Sequence, residues 1–328
     1  MVKNYEKECS KVFTVSRVFA LICIVCAHIN FNNTIGRIYN VVASVGVVAF
    51  LFMSSYYYRP EKFPNFLGMV KNKLISIGIP WIFLGTVVYL YNGILRKNLS
   101  VISYFKWIIG NGTYLYYLTV LVLCFIIFYK PSKVLSIVSI VLTPISLALT
   151  AMGSMEPVIE FLHITDYLNI FNWIGIFGLG QLTRSADPKK LFEFFGAVRI
   201  YVISIFLLAS VLLVVFDKVE LGYFSYIGIY FELLGALCIF CLSTWKAFSN
   251  KFFVSIANNS FAIYLIHMVL IGIMDRIYNV HILTQIISAL LVVAVAHIGL
   301  EVCRFLINKA KAEKFLNPIF GFRNRKVL

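Results

Sequence analysis

Ten runs of apolar residues, most of them close to 20 long, restrict this chain to folds in which lipid is the main solvent. They are Val12–Asn30, Val41–Tyr58, Leu74–Leu95, Thr113–Tyr129, Val134–Met152, Leu168–Leu182, Ile200–Phe216, Leu221–Thr244, Phe252–Ile277 and Ile282–Ile307. A helix rises about 1.5 Å per residue, so about 20 residues cross the hydrocarbon core of a bilayer. The fourth and sixth runs are the shortest. Of the 328 residues, 61% are hydrophobic and 13% charged. A soluble domain has about 45–50% and about 25%. That balance excludes soluble and disordered chains alike. A membrane β-barrel would alternate apolar and polar residues over about 10-residue segments. These runs are apolar all round, so the expected fold is all-α: a polytopic membrane protein of about ten helices.

The charges sort by side. Lys+Arg number 29 against 14 Asp+Glu, a formal net of +15. In a lipid-embedded chain this excess is a topological signal, and no nucleic-acid partner is expected. With the N-terminus in the cytoplasm and alternating crossings, 23 of the 29 cations fall inside. Arg37, Arg96, Lys97, Lys106, Lys218 and Arg276 fall outside. This is the positive-inside bias, and it places both termini in the cytoplasm. The loop from Gly153 to Asp166 carries only acidic charges and reads as external. The first run is too long for a signal peptide, and Asn30-Phe31-Asn32-Asn33 is not a small-residue cleavage site. No repeat is visible. The chain is read as one membrane domain, 1–328, with short basic cytoplasmic tails at about 1–11 and 308–328.

Six of the seven cysteines lie in apolar runs. Cys23-x-x-Cys26 and Cys238-x-x-Cys241 have the spacing of zinc half-sites, but in lipid-embedded helices such residues act as small packing groups. No metal is expected. The triplet Asn32-Asn33-Thr34 carries no weight as a glycosylation acceptor outside a suitable compartment. Asn172, Gln181 and Gly175-x-x-Gly178-x-Gly180 in the sixth run read as close helix packing.

Ionisable residues inside spans are costly and mark function by default. Arg17 and His28 are 11 residues apart, about three helical turns, and so share one face about 16 Å apart along the axis. Arg17 is expected at the cytoplasmic mouth and His28 past the midplane. Two readings stand side by side: a functional pair, or a snorkelling arginine with a hydrogen-bonding histidine. His267, at a similar depth, reads more readily as structural than as a cavity group. Glu232 lies mid-span, where a carboxylate either orients an imidazole, binds a hydroxyl or pairs with a cation. His297 and Glu301, at i and i+4, are expected to pair with each other. Lys71, Lys73, Arg17 and Arg304 share the cytoplasmic level. They suit either phosphate binding or contact with anionic lipid.

Several of these pieces together resemble membrane-bound acyltransferase family 3, whose members O-acylate carbohydrates. The family hallmark in the first helix is an Arg and a His with ten residues between them, here Arg17 and His28. Phe50-Leu-Phe-Met-Ser54-Ser55 resembles the end of its second helix, with Ser55 in place of Gly. Lys71-Asn-Lys73 through Pro80-Trp81 resembles the start of its third, with Lys73 where Arg is usual. Tyr116-Tyr117-Leu118 stands for Trp-Phe-Leu, and Ser260-Phe-Ala-Ile-Tyr264-Leu265-Ile-His267 matches a late-helix motif. The likeness spans 13 to about 270.

The resemblance implies an O-acyltransferase of a bacterial plasma (inner) membrane. Its donor would be cytosolic acyl-CoA, most simply acetyl-CoA. Its acceptor would be a sugar hydroxyl of a lipid-linked or cell-surface polysaccharide. Arg17, Lys73 and Lys71 would hold the CoA phosphates, with membrane lipids around the bundle. His28, with Arg17, would be catalytic, and His267, Glu232, Tyr264 and Ser260 would support it. The chain carries no esterase-like extracytoplasmic domain, so it either completes the transfer or hands the acyl group to a separate partner. The competing reading is a transporter or flippase of a glycan or small solute, without acyl chemistry.

Overall fold

The computed structural model describes residues 2–29, 34–97, 99–216, 223–225, 228–277 and 282–322. Lys218, the tail charges beyond 322 and Asn32-Asn33 lie outside the described residues. The described residues are helical, with no strand among them.

The long first helix is α1 (Val2–Ala27), followed by α2 (Thr34–Ala43), α3 (Gly46–Tyr56) and α4 (Phe66–Lys73). A π turn, Leu74–Gly78, joins α4 to α5 (Ile79–Arg96). Then come α6 (Val101–Ile108), α7 (Tyr116–Ile127), α8 (Lys133–Ala151), α9 (Glu156–Leu162) and α10 (Ile174–Arg184). The chain continues with α11 (Pro188–Val215), α12 (Gly228–Leu242), α13 (Lys251–Ile277), α14 (Ile282–Lys309) and α15 (Glu313–Phe320). Among the described residues, seven stretches are long and apolar enough to cross a bilayer. They are Tyr5–Ala27, Gly36–Tyr56, Phe66–Leu95, Lys133–Ala151, Pro188–Val215, Lys251–Arg276 and Ile287–Lys309. The protein is therefore a multi-pass, all-α membrane protein. Helices α7 and α12 are apolar but shorter.

Several boundaries differ from the hydropathy reading, each for a local reason. Helix α1 starts at Val2 rather than Val12, because its polar first turns still favour helix. Lys11 donates to Glu8 at 2.7 Å, and the Cys9 thiol to Pro188 O at 3.1 Å. Helix α11 starts at Pro188 rather than Ile200. Proline at the first helical position has no N–H to satisfy, and the Asp187 side chain caps the helix by accepting from Lys189 N at 2.9 Å. The sixth run does not form one helix. It folds as two short 3-10 turns, Asp166–Leu168 and Ile170–Asn172, before α10.

The close-packed heart of the bundle is where α10 meets α8 and α3. A Cβ on Gly178 would lie 2.1 Å from Ser139 Oγ and 2.8 Å from Ser136 O of α8. One on Gly180 would lie 2.7 Å from Phe52 O of α3. Only glycine allows both backbones so near, the small-residue rule of helix contacts in lipid. Ser55 donates its hydroxyl to Phe177 O, and Gln181 Nε2 donates to Ser55 O at 2.6 Å. Asn172 Oδ1 accepts from Ser146 Oγ at 2.6 Å. These polar groups therefore satisfy each other across the helix interfaces. Cys238 and Cys241 pack in the apolar core, and all seven cysteines are free. Among the described residues no group of three or more His, Cys, Asp or Glu gathers.

Candidate functional site

A cavity of about 220 Å³ runs between α1, α3, the α4–α5 junction, α7 and α13. Arg17, Tyr57, Lys73, Tyr117, Ser260 and Tyr264 all line it. Arg17, from α1, holds its guanidinium 4.9 Å from the centre of the Tyr57 ring. Lys73, the last residue of α4, places Nζ 3.7 Å from the Phe125 ring centre and 5.0 Å from that of Tyr58. Aromatic faces attract cations, so both charges stay on the cavity wall. A cavity enclosing a drug-sized ligand holds about 300–1,000 Å³. This one is smaller, and suits a narrow arm rather than a bulky head.

Tyrosines line the same cavity. Tyr117 OH and Ser54 Oγ are 3.1 Å apart. Tyr264 donates to Tyr114 O, and Tyr114 OH donates to Leu265 O at 2.7 Å. This reciprocal pair braces the entry of α7 against α13. Ser260 lines the cavity, but its hydroxyl bonds Ala257 O at 2.8 Å within its own helix.

Next to the brace lie two imidazoles. The ring centres of His28 and His267 are 5.2 Å apart, at an angle of 43°. The Tyr114 ring stands edge-on to both, 6.2 Å from His28 and 5.0 Å from His267. His267 is fully buried and lies 5.8 Å from the Tyr264 ring. His28 is half-buried. It sits in the turn just after α1 rather than inside a span, because α1 ends at Ala27. His28 N bonds Val25 O at 3.2 Å, and Ile29 N bonds Cys26 O at 3.1 Å. These i to i−3 bonds tighten the chain out of the α-helix.

The structure thus gathers Arg17, Lys73, Ser260 and Tyr264 around one cavity, and pairs His28 with His267 beside Tyr114 and Tyr264. Lys71 is exposed on α4 and is not among the lining residues. Glu232 is buried on α12, facing the Ser44 hydroxyl. Its electrostatic neighbours are the Tyr116, Tyr167 and Tyr223 hydroxyls.

His297 and Glu301 are joined through a third residue, Asn259. Asn259 Nδ2 lies 3.0 Å from His297 Nδ1 and donates to Glu301 Oε1 at 2.8 Å. Arg304 closes the group, donating to Glu301 at 2.9 Å and to Asn259 Oδ1 at 2.8 Å. Arg304 also lies 4.4 Å over the Phe322 ring. It belongs to this network, which ties α13 to α14, rather than to the cavity.

Tyr57, Tyr114 and Asn259 went unread in the sequence. The first two are tyrosines among 19. Asn259 stands one residue before the Ser260 motif, in a helix shared with His267.

At the loop end near Tyr58, Arg184 bonds the Glu61 carboxylate and donates to Tyr58 O at 2.7 Å. Partial burial alone would raise the Glu61 pKa. Hydrogen bonds from its own backbone and from Arg184, with the nearby positive charge, bring it below the usual carboxylate range instead.

A family model described as an acyltransferase domain matches residues 13–300. No curated protein and no solved structure matches the chain.

Proposed function

Starting from a chain that belongs to acyltransferase family 3, and is thus a membrane acyltransferase, we propose transfer from cytosolic acyl-CoA to a sugar hydroxyl. Acetyl is the simplest acyl group. The acceptor is a lipid-linked or cell-surface polysaccharide, and the membrane is the plasma membrane of a bacterium. One observation carries this reading: a narrow cavity with two cations on its wall is lined by tyrosines, and two imidazoles meet beside them.

The chemistry follows from that grouping. Arg17 and Lys73 are charged donors suited to the phosphates of the donor. The cavity volume suits the pantetheine arm. Beside Tyr114, His28 acts as general base. The sugar oxygen bonds to the thioester carbonyl carbon, and the carbon–sulfur bond breaks. The hydroxyl proton moves to His28 and then to the departing thiolate. His28 is half-buried, so it combines shielding with access. The acyl group goes either to the glycan directly or to a separate extracytoplasmic partner.

The test is purified protein in nanodiscs with acetyl-CoA. His28→Ala is expected to abolish acyl transfer while leaving donor binding intact. Arg17→Ala and added salt are expected to weaken donor binding. Glycan acylation that persists in cells relying on His28→Ala alone would refute the catalytic role. Glycan or solute transport without any acyl donor would favour the transporter reading.

A further inference from the structure

His267 presents a chemical asymmetry that the mechanism above does not use. Its Nδ1 lies 2.6 Å from Tyr264 O. A carbonyl oxygen only accepts, so Nδ1 carries the hydrogen. In a neutral ring the other nitrogen, Nε2, is then a lone pair seeking a donor. That atom is buried and has no hydrogen-bond partner among the described residues. An unmade bond at a buried acceptor is costly, and an unpaired buried imidazolium would cost more.

The nearby hydroxyls are engaged elsewhere. Tyr114 OH bonds Leu265 O, and Tyr264 OH bonds Tyr114 O. Among the described residues the other polar ring beside it is His28, with its centre 5.2 Å away. Each ring nitrogen lies about 1.2 Å from its ring centre, and an N–H···N bond is about 2.9 Å long. Two imidazoles bonded nitrogen to nitrogen therefore have centres about 5 Å apart. The pair already stands at bonding separation and differs from it only in orientation. His28 is half-buried and in a turn, whereas His267 is fully buried on α13.

We propose that His267 is a positioning residue for His28: its Nε2 accepts the N–H of the His28 imidazole. This rests on the reading of His28 as the base. The bond selects one tautomer of His28 and leaves its other nitrogen as the lone pair that faces the acceptor hydroxyl. During transfer the hydroxyl proton moves to that free nitrogen as the carbon–oxygen bond forms and the carbon–sulfur bond breaks. It leaves with the thiolate. His267 keeps its own proton on Nδ1 throughout, bonded to Tyr264 O. The role resembles that of the carboxylate in a hydrolytic triad, which orients the histidine without taking its proton. Here a neutral ring does it in an apolar surround.

The full chain in nanodiscs, labelled with ¹⁵N-histidine, gives a readout that needs no substrate. Long-range ¹⁵N–¹H spectra are expected to show His267 as the Nδ1–H tautomer. His28→Phe should move its Nε2 resonance towards that of an unbonded nitrogen. An Nε2–H tautomer, or a resonance indifferent to His28→Phe, overturns the proposal.

Release of free thiol from acetyl-CoA in the presence of glycan acceptor gives the second readout. His267→Asn keeps a donor near the Nδ1 position but has no acceptor at Nε2. It is expected to lower kcat about 10²–10⁴-fold with KM for acetyl-CoA within about threefold. His267→Gln carries an amide oxygen near the Nε2 position and should recover at least tenfold of that loss. Wild-type kcat in His267→Asn overturns the proposal. Wild-type protein that releases no thiol refutes the acyltransfer reading instead, and the spectra then decide the imidazole pairing on their own.

Discussion

Substituting Gly178 by alanine tests how this bundle is held together. The added Cβ would lie 2.1 Å from Ser139 Oγ and 2.8 Å from Ser136 O. Ser139 can rotate away only by giving up its bond to Ser136 O, 2.8 Å long and worth about 1 kcal/mol net. The carbonyl of Ser136 is backbone and cannot rotate away, so α8 and α10 must separate by several tenths of an ångström. Overpacking of this kind costs about 1–3 kcal/mol. Gly299 on α14 supplies the internal control, since a Cβ there meets nothing within 4 Å. Gly299→Ala is expected to be neutral or to stabilise by about 0.5–1 kcal/mol, through helix propensity alone. Unfolding in mixed micelles of rising SDS fraction would rank the three proteins. Gly178→Ala with Ser139→Gly should recover part of the loss, because the Oγ contact goes and the carbonyl contact stays. If Gly178→Ala unfolds with Gly299→Ala and the wild type, close backbone contact is not what holds α10 in place.

Three further outcomes follow from named contacts. Asn259→Leu removes the side chain that meets His297, Glu301 and Arg304, with an expected loss of about 2–4 kcal/mol in the same SDS titration; an unchanged midpoint would show that the group does not tie α13 to α14. Lys73→Met should weaken acetyl-CoA binding by calorimetry about tenfold or more, the loss of one charge-assisted bond, whereas Lys73→Arg should retain it; equal affinities in all three would remove Lys73 from the donor site. Against partial burial, its own backbone hydrogen bond and then Arg184 keep Glu61 more acidic in the fold than its ordinary 4.5, so the stabilisation from its charged form is full above that value and fades as pH falls through the lowered one. The stability gap between wild type and Glu61→Gln should therefore close on acidification from 4.5 downwards; a gap that persists after Glu61 is fully protonated would refute the linkage.

Much of the fold was legible because lipid imposes strong rules. A run of apolar residues must satisfy its own backbone, so helix is the available answer. The glycine and amide cluster around Gly178 read correctly as packing, since small residues in such a run have few other uses. Helix starts were harder to read. Hydropathy ends at Val12 and Ile200, whereas α1 and α11 reach back to Val2 and Pro188. The residues that extend them are polar helix formers or an Asp-Pro cap, and neither registers as an apolar run. The sixth run failed as a single helix because Asn169 and Asn172 bond locally. Asn169 Oδ1 accepts from Phe171 N at 3.1 Å, and Asn172 Nδ2 donates to Asp166 O at 3.2 Å. Such bonds compete with helix formation.

The site was legible in its residue types and not in its grouping. The sequence by itself determined that the chain is helical and lipid-embedded, and it singled out Arg17, His28, Lys73 and His267 as charges or imidazoles out of place. Periodicity put Arg17 and His28 on one face of one helix, whereas α1 ends at Ala27 and His28 falls in the turn that follows. Only the tertiary structure decided their company: Arg17 with Lys73 on a cavity wall, His28 against His267 beside the tyrosines, and Glu232 among other tyrosine hydroxyls. The reason is that spacing along a helix fixes relations within that helix alone. Which side chains meet across helices depends on crossing and contact depth. Glycine contacts set these locally, and the packing of the whole bundle sets them globally.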